Sequence, residues 1–388
     1  MKRTFRYRFY PSEVQAEQLS RTFGCVRKVY NLGLQARTEA WRLRHERIGY
    51  VDTSALLTTW KQDEDLAFLN EVSCVPLQQA LRHLQSAFTN FFGKRAKYPR
   101  FKSRKRSRAC AEYTRSAFRF RNGQVTLAKM AEPLEIVWSR PLPPGVVPST
   151  VTVSRDAAGR WFVSLLCEDP SVTALPAVDS VVGIDAGLEH LPIFSTGEKI
   201  SNPQHERRDR ERLVRAQRAL SRKQKGSDNQ ARARLRVART YARIADRRRD
   251  HLHKVTTRLV RENQTLVIED LAVRNMMTNH NLARAIGDAS WSQFRSMLEY
   301  KARWYGRTVI AVDRWLPSSK LCSACGALAA SLPLQRRTWV CGCGVAHDRD
   351  VNAARNILAA GLAVTVCGAG VRPQRNTPGG QSVTKQKA

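Results

Sequence analysis

No run of apolar residues in this chain approaches the ~20 needed to cross a bilayer as a helix. The start, Met1-Lys2-Arg3-Thr4-Phe5-Arg6-Tyr7, alternates basic with aromatic or polar residues and lacks the apolar stretch of a secretory leader. Both absences point to a protein that works inside the cell without a membrane partner. Acid is scarce too: the 388 residues hold 33 Asp and Glu against 66 Lys and Arg, a formal net charge of +33. A compact chain with that surplus repels itself unless a polyanion neutralises it, and the polyanion expected here is nucleic acid. A disulfide framework is also missing. The nine cysteines are an odd number, and five of them (Cys25, Cys74, Cys110, Cys167, Cys367) are scattered. There is no internal repeat.

The pattern of what is present changes three times. RTFRYRFY at the start alternates as a strand does, and Pro11-Ser12 ends it. Ser12 with Gln15 makes a capping box for a helix over Glu13–Trp41, where Leu19, Phe23, Val26, Val29, Tyr30 and Leu34 recur at helical spacing. Further helices are expected over about 53–61 and 76–92. A segment dense in Lys and Arg, 94–108, follows. From Phe118 to about Glu168 the period is two, with turn signals at Asn122-Gly123, Pro143-Pro144-Gly145 and Ala158-Gly159. That is a small antiparallel β unit, which the N-terminal strand completes. From Val181 the pattern is α/β: buried strands at Val181–Asp185 and Leu266–Glu269, and another at Leu191–Ser195 whose Pro192 suits a strand start or an edge. An antiparallel pair of basic helices is expected over 205–263, broken near Lys225–Asp228. A helix near 292–305, a strand at 308–312 and a last helix near 352–360 follow. The Pro-, Gly-, Gln- and Lys-bearing tail beyond Arg372 reads as disordered.

Two acids stand at strand ends. Asp185 and Glu269 each close an apolar strand, and ligands of α/β sheets gather beyond such ends. A third acid, Asp350, opens the last helix, where the helix dipole favours it. Converging carboxylates suit Mg2+, a hard cation that takes oxygen ligands. Two such ions ~4 Å apart hydrolyse phosphodiesters. A lone acid at a strand end is more often a turn or cap residue, and Asp350 could serve as a helix cap. Asp270 and Asp348 compete for the same roles, although Asp270 should point to the other face of its strand.

The remaining four cysteines are clustered. Cys322-Ser-Ala-Cys325, fifteen residues from Gly326, then Cys341-Gly-Cys343-Gly344 resembles a zinc ribbon, with four soft ligands for one tetrahedral, structural Zn2+. The second half is C-x-C, one residue shorter than the usual knuckle.

The series Ile184-Asp185-Ala-Gly, Ile268-Glu269-Asp-Leu, Pro317-Ser-Ser-Lys-Leu-Cys322-Ser-Ala-Cys325-Gly and His347-Asp-Arg-Asp350-Val-Asn-Ala-Ala-Arg-Asn-Ile resembles the TnpB family of insertion-sequence proteins, which are similar to the nuclease core of type V CRISPR effectors. Phe9-Tyr10-Pro11, Phe23-Gly24-Cys-Val-Arg27, Leu77-Gln78-Gln79, Pro99-Arg100-Phe101-Lys102 and Glu299-Tyr300-Lys301 belong to the same likeness. The likeness covers almost the whole chain, in family order. It implies an α+β multidomain protein. A wedge β-barrel (1–10 and 109–178) carries a helical recognition insert (11–108). An RNase H-like (RuvC) nuclease (179–315 and 347–371) holds a zinc-binding module (316–346), and 372–388 is a tail. It implies Asp185, Glu269 and Asp350 as the catalytic, Mg2+-holding acids, with Mn2+ able to substitute, and Cys322, Cys325, Cys341 and Cys343 as the zinc ligands. The implied partners are a transposon-derived guide RNA and double-stranded target DNA cut beside a short motif, by a monomer carrying one RNA in a prokaryotic cytoplasm. The C-x-C half is the departure from the family pattern.

A guide and heteroduplex are held by their backbones, so a wide basic surface is expected. Candidate contacts are Arg3, Arg6 and Arg8, the stretch Arg95–Arg108 with Arg100 and Lys102, and the basic helix pair with Arg207, Arg208, Arg232, Arg236, Arg247, Arg248 and Arg249. Tyr50, Thr53, Gln78 and Gln79 are candidate readers of the DNA motif, since Gln pairs with adenine. Two other functions compete. One is a guided DNA-binding repressor that does not cut, against which the three intact acids argue. The other is a DNA-only transposase using a His-hydrophobic-His pair, spelled by His251-Leu252-His253. That pair falls in a helical stretch, where residues two apart do not face each other.

Overall fold

The computed structural model describes residues 1–366 except 334. Cys367 and the tail expected to be disordered lie outside the described residues. The chain divides into two compact units, 1–171 and Val172 onwards.

The first unit contains β1 (Lys2–Phe9), α1 (Glu13–Arg44), α2 (Tyr50–Gln62), α3 (Cys74–Phe92), β2 (Ala109–Thr114), β3 (Phe118–Arg121), β4 (Gln124–Leu127), β5 (Ile136–Val137), β6 (Pro148–Arg155) and β7 (Trp161–Glu168). β1 pairs antiparallel with β7 along its whole length, from Lys2 opposite Glu168 to Phe9 opposite Trp161. The alternation of the first residues therefore has a physical result: Phe5, Tyr7 and Phe9 point into a core shared with Val151, Val153, Val163 and Leu165. The sheet order is β2-β6-β7-β1-β5, and it is open. The expected barrel does not close: β2 and β5 are the two edges of the sheet and are not paired with each other. The β3–β4 hairpin joins the core through Phe118, Phe120, Val125 and Leu127 and not through the ladder.

The capping box forms: Ser12 Oγ accepts from Gln15 N and Gln15 Oε1 accepts from Ser12 N. Leu19 and Phe23 of α1 pack into the sheet core, while Cys25 and Val29 further along pack with Leu57, Leu77 and Leu81 of α2 and α3. One helix thus serves two cores.

The second unit contains β8 (Val181–Asp185), β9 (His190–Phe194), β10 (Lys199–Ser201), α4 (His205–Ser221), α5 (Asp228–Glu262), β11 (Thr265–Glu269), α6 (Val273–Met276), α7 (Ala283–Ala289), α8 (Trp291–Tyr305), β12 (Thr308–Val312), β13 (Thr338–Val340), β14 (Ala346–Asp348) and α9 (Arg349–Val366). Its main sheet has the order β10-β9-β8-β11-β12. β8, β11 and β12 are parallel, and β9 and β10 are antiparallel additions. β9 is therefore an interior strand with Pro192 at its middle, neither the strand start nor the edge that the proline suggested. Pro192 falls where the β9–β10 register slips, between Ile193 opposite Lys199 and His190 opposite Ser201, so its missing N–H removes no ladder bond.

The two faces of this sheet have different partners. Val182, Ile184, Leu266 and Ile268 face α5 and α8, meeting Leu252, Val255, Leu259, Trp291, Phe294 and Leu298. The alternate residues face α9. Gly183 lies so close to that helix that a Cβ there would sit 2.1 Å from the Ala354 carbonyl oxygen and 2.7 Å from Leu358 Cβ. Because the nearest atom is backbone, α9 itself has to move. Gly183→Ala is expected to destabilise the protein by about 3 kcal/mol, as overpacking of a tight core does. Thermal melting of the purified variant checks this, and a melting temperature equal to that of the wild type would refute the close packing of β8 on α9.

Among the described residues no helix is long and apolar enough to cross a membrane.

Candidate functional site

β8 and β11 run parallel and in register, Val181 opposite Thr265 through Ile184 opposite Ile268. Asp185 and Glu269 are the next residues, so they end neighbouring strands ~4.8 Å apart. By the two-residue period both share the face of Gly183 and Val267, which is the α9 face. α9 brings the third acid, because Asp350 lies in its first turn. All three carboxylates are half-buried.

Their electrostatics follow from this crowding. Burial, together with the charges of Glu269 and Asp350, pushes the Asp185 carboxyl up to about 8. Burial also raises Glu269, against a hydrogen bond from Ser318. Among the described residues no basic side chain forms an ion pair with Asp185 or Glu269, whereas Arg337 reaches Asp350 at 3.3 Å.

The competing acids are engaged elsewhere. Asp270 points to the α8 face, where it pairs with Arg295 at 2.6 Å and with Arg314. Asp348 caps α9, accepting from the backbone N–H groups of Asp350 and Val351, and pairs with Lys199 at 2.6 Å. His251 of α5 lies half-buried near His205, while His253 is exposed and Leu252 between them is buried. The histidine pair of a DNA-only transposase is not assembled there.

β13 and β14 form a two-stranded ribbon, and Cys341 and Cys343 lie in its turn. Cys322 and Cys325 come from the preceding loop. The four Sγ atoms all lie within 4.8 Å of one another. Cys322 and Cys343 are 3.8 Å apart, and Cys325 and Cys341 3.6 Å. These are too long for disulfides, whose S–S bond is ~2.05 Å. They match the ~3.8 Å edge of a tetrahedron with ~2.3 Å metal–sulfur bonds. The short C-x-C half therefore still delivers both thiols. Burial works to raise the Cys322 thiol, but the backbone N–H groups of Cys325 and Ala324, with His347, hold it down to about 6. His347 Nε2 is 3.0 Å from that sulfur.

The basic candidates divide. Arg100, Arg207, Arg208 and Arg247 are exposed, the last bonded to Asp209 at 3.0 Å. Arg248 is tied to Asp288. Arg3 pairs with Asp169 within its own unit. Lys102 lies over the Tyr30 ring at 3.7 Å, and burial lowers its pKa. Two candidate DNA readers are internal. Thr53 is 1% exposed and its hydroxyl donates to the carbonyls of Gly49 and Tyr50. Gln79 is buried on α3. Helical spacing turns Thr53 toward α1, where it faces Gly33, and Gln79 into a cleft that Lys102, Arg108 and Glu112 also line, which the polarity of the residues did not reveal. Gln78 and Tyr50 remain half-exposed, and Arg82 bonds the Tyr50 hydroxyl. The sequence reading passed over Arg27 and Arg155 as contacts. With Arg21 and Arg104 they line one cleft beside Phe23. Arg155 comes from a strand far along the chain, so no local run of charge marked it.

Comparison with known proteins adds three kinds of likeness. Residues 163–280 match the family described as "Probable transposase", residues 291–357 the Cas12f1-like TNB domain, and residues 1–46 a helix-turn-helix domain. A "Putative RNA-guided DNA endonuclease" of Streptomyces pristinaespiralis is 66% identical over the whole of this chain and 96% of its own length. The "Putative RNA-guided DNA endonuclease InsQ" of Escherichia coli K12 is 34% identical over 97% of this chain and 98% of its own. Among solved structures, Cas12f1 in its complex with sgRNA and target DNA matches with a TM-score of 0.59 over 92% of this chain and 98% of its own, at 12% identity, so the α+β fold is shared. With matches of this length and identity on both sides, the chain belongs to the TnpB family.

Proposed function

We propose that this protein is an RNA-guided DNA endonuclease of a transposable element, which binds an RNA copied from the element's end and cuts double-stranded DNA beside a short motif. The full-length likeness to relatives named as RNA-guided DNA endonucleases supports guidance and cutting. The observation that carries the chemistry is the placing of Asp185 and Glu269 at the ends of paired parallel strands, on the face where α9 brings Asp350 in its first turn.

Converging carboxylates, of which Asp185 and Glu269 have no ion pair among the described residues, are what a divalent cation stabilises, so the donor set fits Mg2+, or Mn2+ in its place. When bound at these acids, such ions activate the attacking water and stabilise the leaving oxygen of the phosphodiester. The protein's part is positional. Asp185 and Glu269 are held by strands paired on both sides, and Asp350 is held by a helix start that Asp348 caps. Zn2+ at Cys322, Cys325, Cys341 and Cys343 would be structural, because four thiols fill its coordination sphere.

In this reading the nuclease is RNase H-like (RuvC), spanning 179–315 and 347–371, with the zinc module at 316–346. Residues 1–10 and 109–178 form the wedge, and 11–108 the recognition part. The +33 charge binds guide and heteroduplex by their backbones, with one RNA per monomer in a prokaryotic cytoplasm.

Sequencing the RNA that copurifies with the protein, expressed together with its flanking DNA, tests the guided part. The expected result is one species with a fixed scaffold and an end matching DNA beside the gene. A heterogeneous mixture of cellular RNA would refute guidance and leave an unguided binder of polyanions.

A further inference from the structure

Between β12 and the first cysteine pair the chain runs as a short strap, 317–322, across the start of α9. Two buried asparagines one helical turn apart on α9 hold it. Asn356 Nδ2 donates to the carbonyls of Ser318 and Leu321, at 2.8 and 2.6 Å. Asn352 Nδ2 donates to the Leu321 carbonyl at 2.7 Å, and its Oδ1 accepts from Ser323 N at 2.9 Å. Asn352 is 1% exposed and Asn356 5%, so these amides are fixed by packing as well as by their bonds. The strap in turn carries a buried hydroxyl, Ser318 Oγ, which donates to Glu269 Oε1 at 2.8 Å.

We infer that Ser318 is a positioning residue for Glu269, holding that carboxylate in one rotamer so that it meets the metal ions together with Asp185 and Asp350. This rests on the assignment of the three acids to the cutting site. The physical need is specific to Glu269. A glutamate has one more rotatable bond than the two aspartates, so the strand end alone does not fix its carboxylate. A hydroxyl that donates to that carboxylate from a strap held by two buried asparagines does. The strap's other bonds use backbone carbonyls and the asparagine amides, so removing the hydroxyl leaves them intact. The same strap ends at Cys322, which links the thiol cluster to Glu269 by a path of five residues.

The test uses the full chain with its RNA. Bound Mn2+ is counted by electron paramagnetic resonance, and cleavage rate is followed against Mg2+ concentration, for Ser318→Ala, Glu269→Gln, the double variant and Asp185→Ala. Ser318→Ala is expected to weaken Mn2+ binding about 10-fold, the usual effect of removing a group that orients a metal ligand. The Mg2+ needed for half-maximal cleavage should rise by a similar factor, with guided DNA binding and zinc content unchanged. In the Glu269→Gln background the same substitution should weaken Mn2+ binding no further, because its partner carboxylate is gone. Wild-type Mn2+ affinity in Ser318→Ala, or an equal additional loss in the double variant, overturns the inference. If those results come with inactive Asp185→Ala and Glu269→Gln, only the role of Ser318 falls. If the two acid variants still cut, the assignment of the acids falls first.

Discussion

Asp185→Ala is expected to reduce guided DNA cleavage at least ~1,000-fold while leaving RNA binding and guided DNA binding within about twofold of wild type. The barrier to phosphodiester hydrolysis is lowered mainly by charge held at fixed positions, and each ~1.4 kcal/mol of lost stabilisation is a factor of ten. Asp185 ends a strand flanked on both sides by paired strands and beside that of Glu269, on the face that α9 covers. Its loss removes a ligand that no neighbour replaces, since Asp270 is committed to Arg295 and Arg314, and Asp348 to Lys199 and the helix start. Binding should survive because the exposed arginines, among them Arg100, Arg207 and Arg208, are untouched. Stability in the absence of divalent metal should not fall. The deleted carboxyl is buried and repelled by its neighbours, so the variant's melting temperature in a chelator should equal or exceed that of the wild type. Gel assays of cleavage and binding on the same preparations, with a melting curve in EDTA, check all three statements. Cleavage retained by Asp185→Ala would move the active site elsewhere. An inactive wild type that still binds guided DNA would make the protein a repressor.

Much of this site was legible because its acids sit at the ends of strands, and the strand pattern was strong. Val181–Asp185 and Leu266–Glu269 read as buried strands ending in an acid, and the structure pairs them in register. The two-residue period favoured Glu269 over Asp270 and the family likeness selected it, and Asp270 does face α8. Periodicity carries no information about distant partners, and there the reading stopped. The strap at 317–322 depends on two asparagines of α9, so nothing near Ser318 marked it as a neighbour of Glu269. The same limit applied to Thr53 and Gln79. Their polarity suggested contact with DNA, but their place on α2 and α3 buries both side chains. The barrel was implied by the family likeness, while alternation predicted only an antiparallel unit, because alternation sets which face is buried and not whether the last strand meets the first. Here β2 and β5 stay at opposite edges of an open sheet.

Removing zinc is expected to disable cutting almost as completely as removing an acid, by way of geometry. The thiol cluster sits on a ribbon with little core of its own: Cys322, Leu332, Trp339 and Cys341, with Ala329 beside them. Two of those four are the proposed metal ligands. A module this small does not fold on apolar burial alone and takes its stability from the metal, about 10–16 kcal/mol in isolated zinc peptides. Both of its exits lead to the acids. One runs through the strap to Ser318 and Glu269. The other runs from β14 into α9 without an intervening residue, Asp348 ending the strand and Asp350 lying in the first turn. Loss of the ribbon therefore frees the N-terminus of the helix that presents Asp350 and the strap that orients Glu269 together. For the wild type, elemental analysis should find close to one zinc per chain. Cys322→Ser should lose it, melt at lower temperature and cut at least ~100-fold more slowly, the loss expected when supports of metal ligands are removed. The comparison that separates this mechanism from general unfolding is circular dichroism of the same variant. Most helical signal should remain, because α1, α3, α4 and α5 make no use of the cysteines. A zinc-free wild type, or a zinc-free variant that cuts at the wild-type rate, would detach the thiol cluster from the catalytic acids and leave α9 positioned by its packing on the sheet, at Gly183, Val267, Ile310 and Val312.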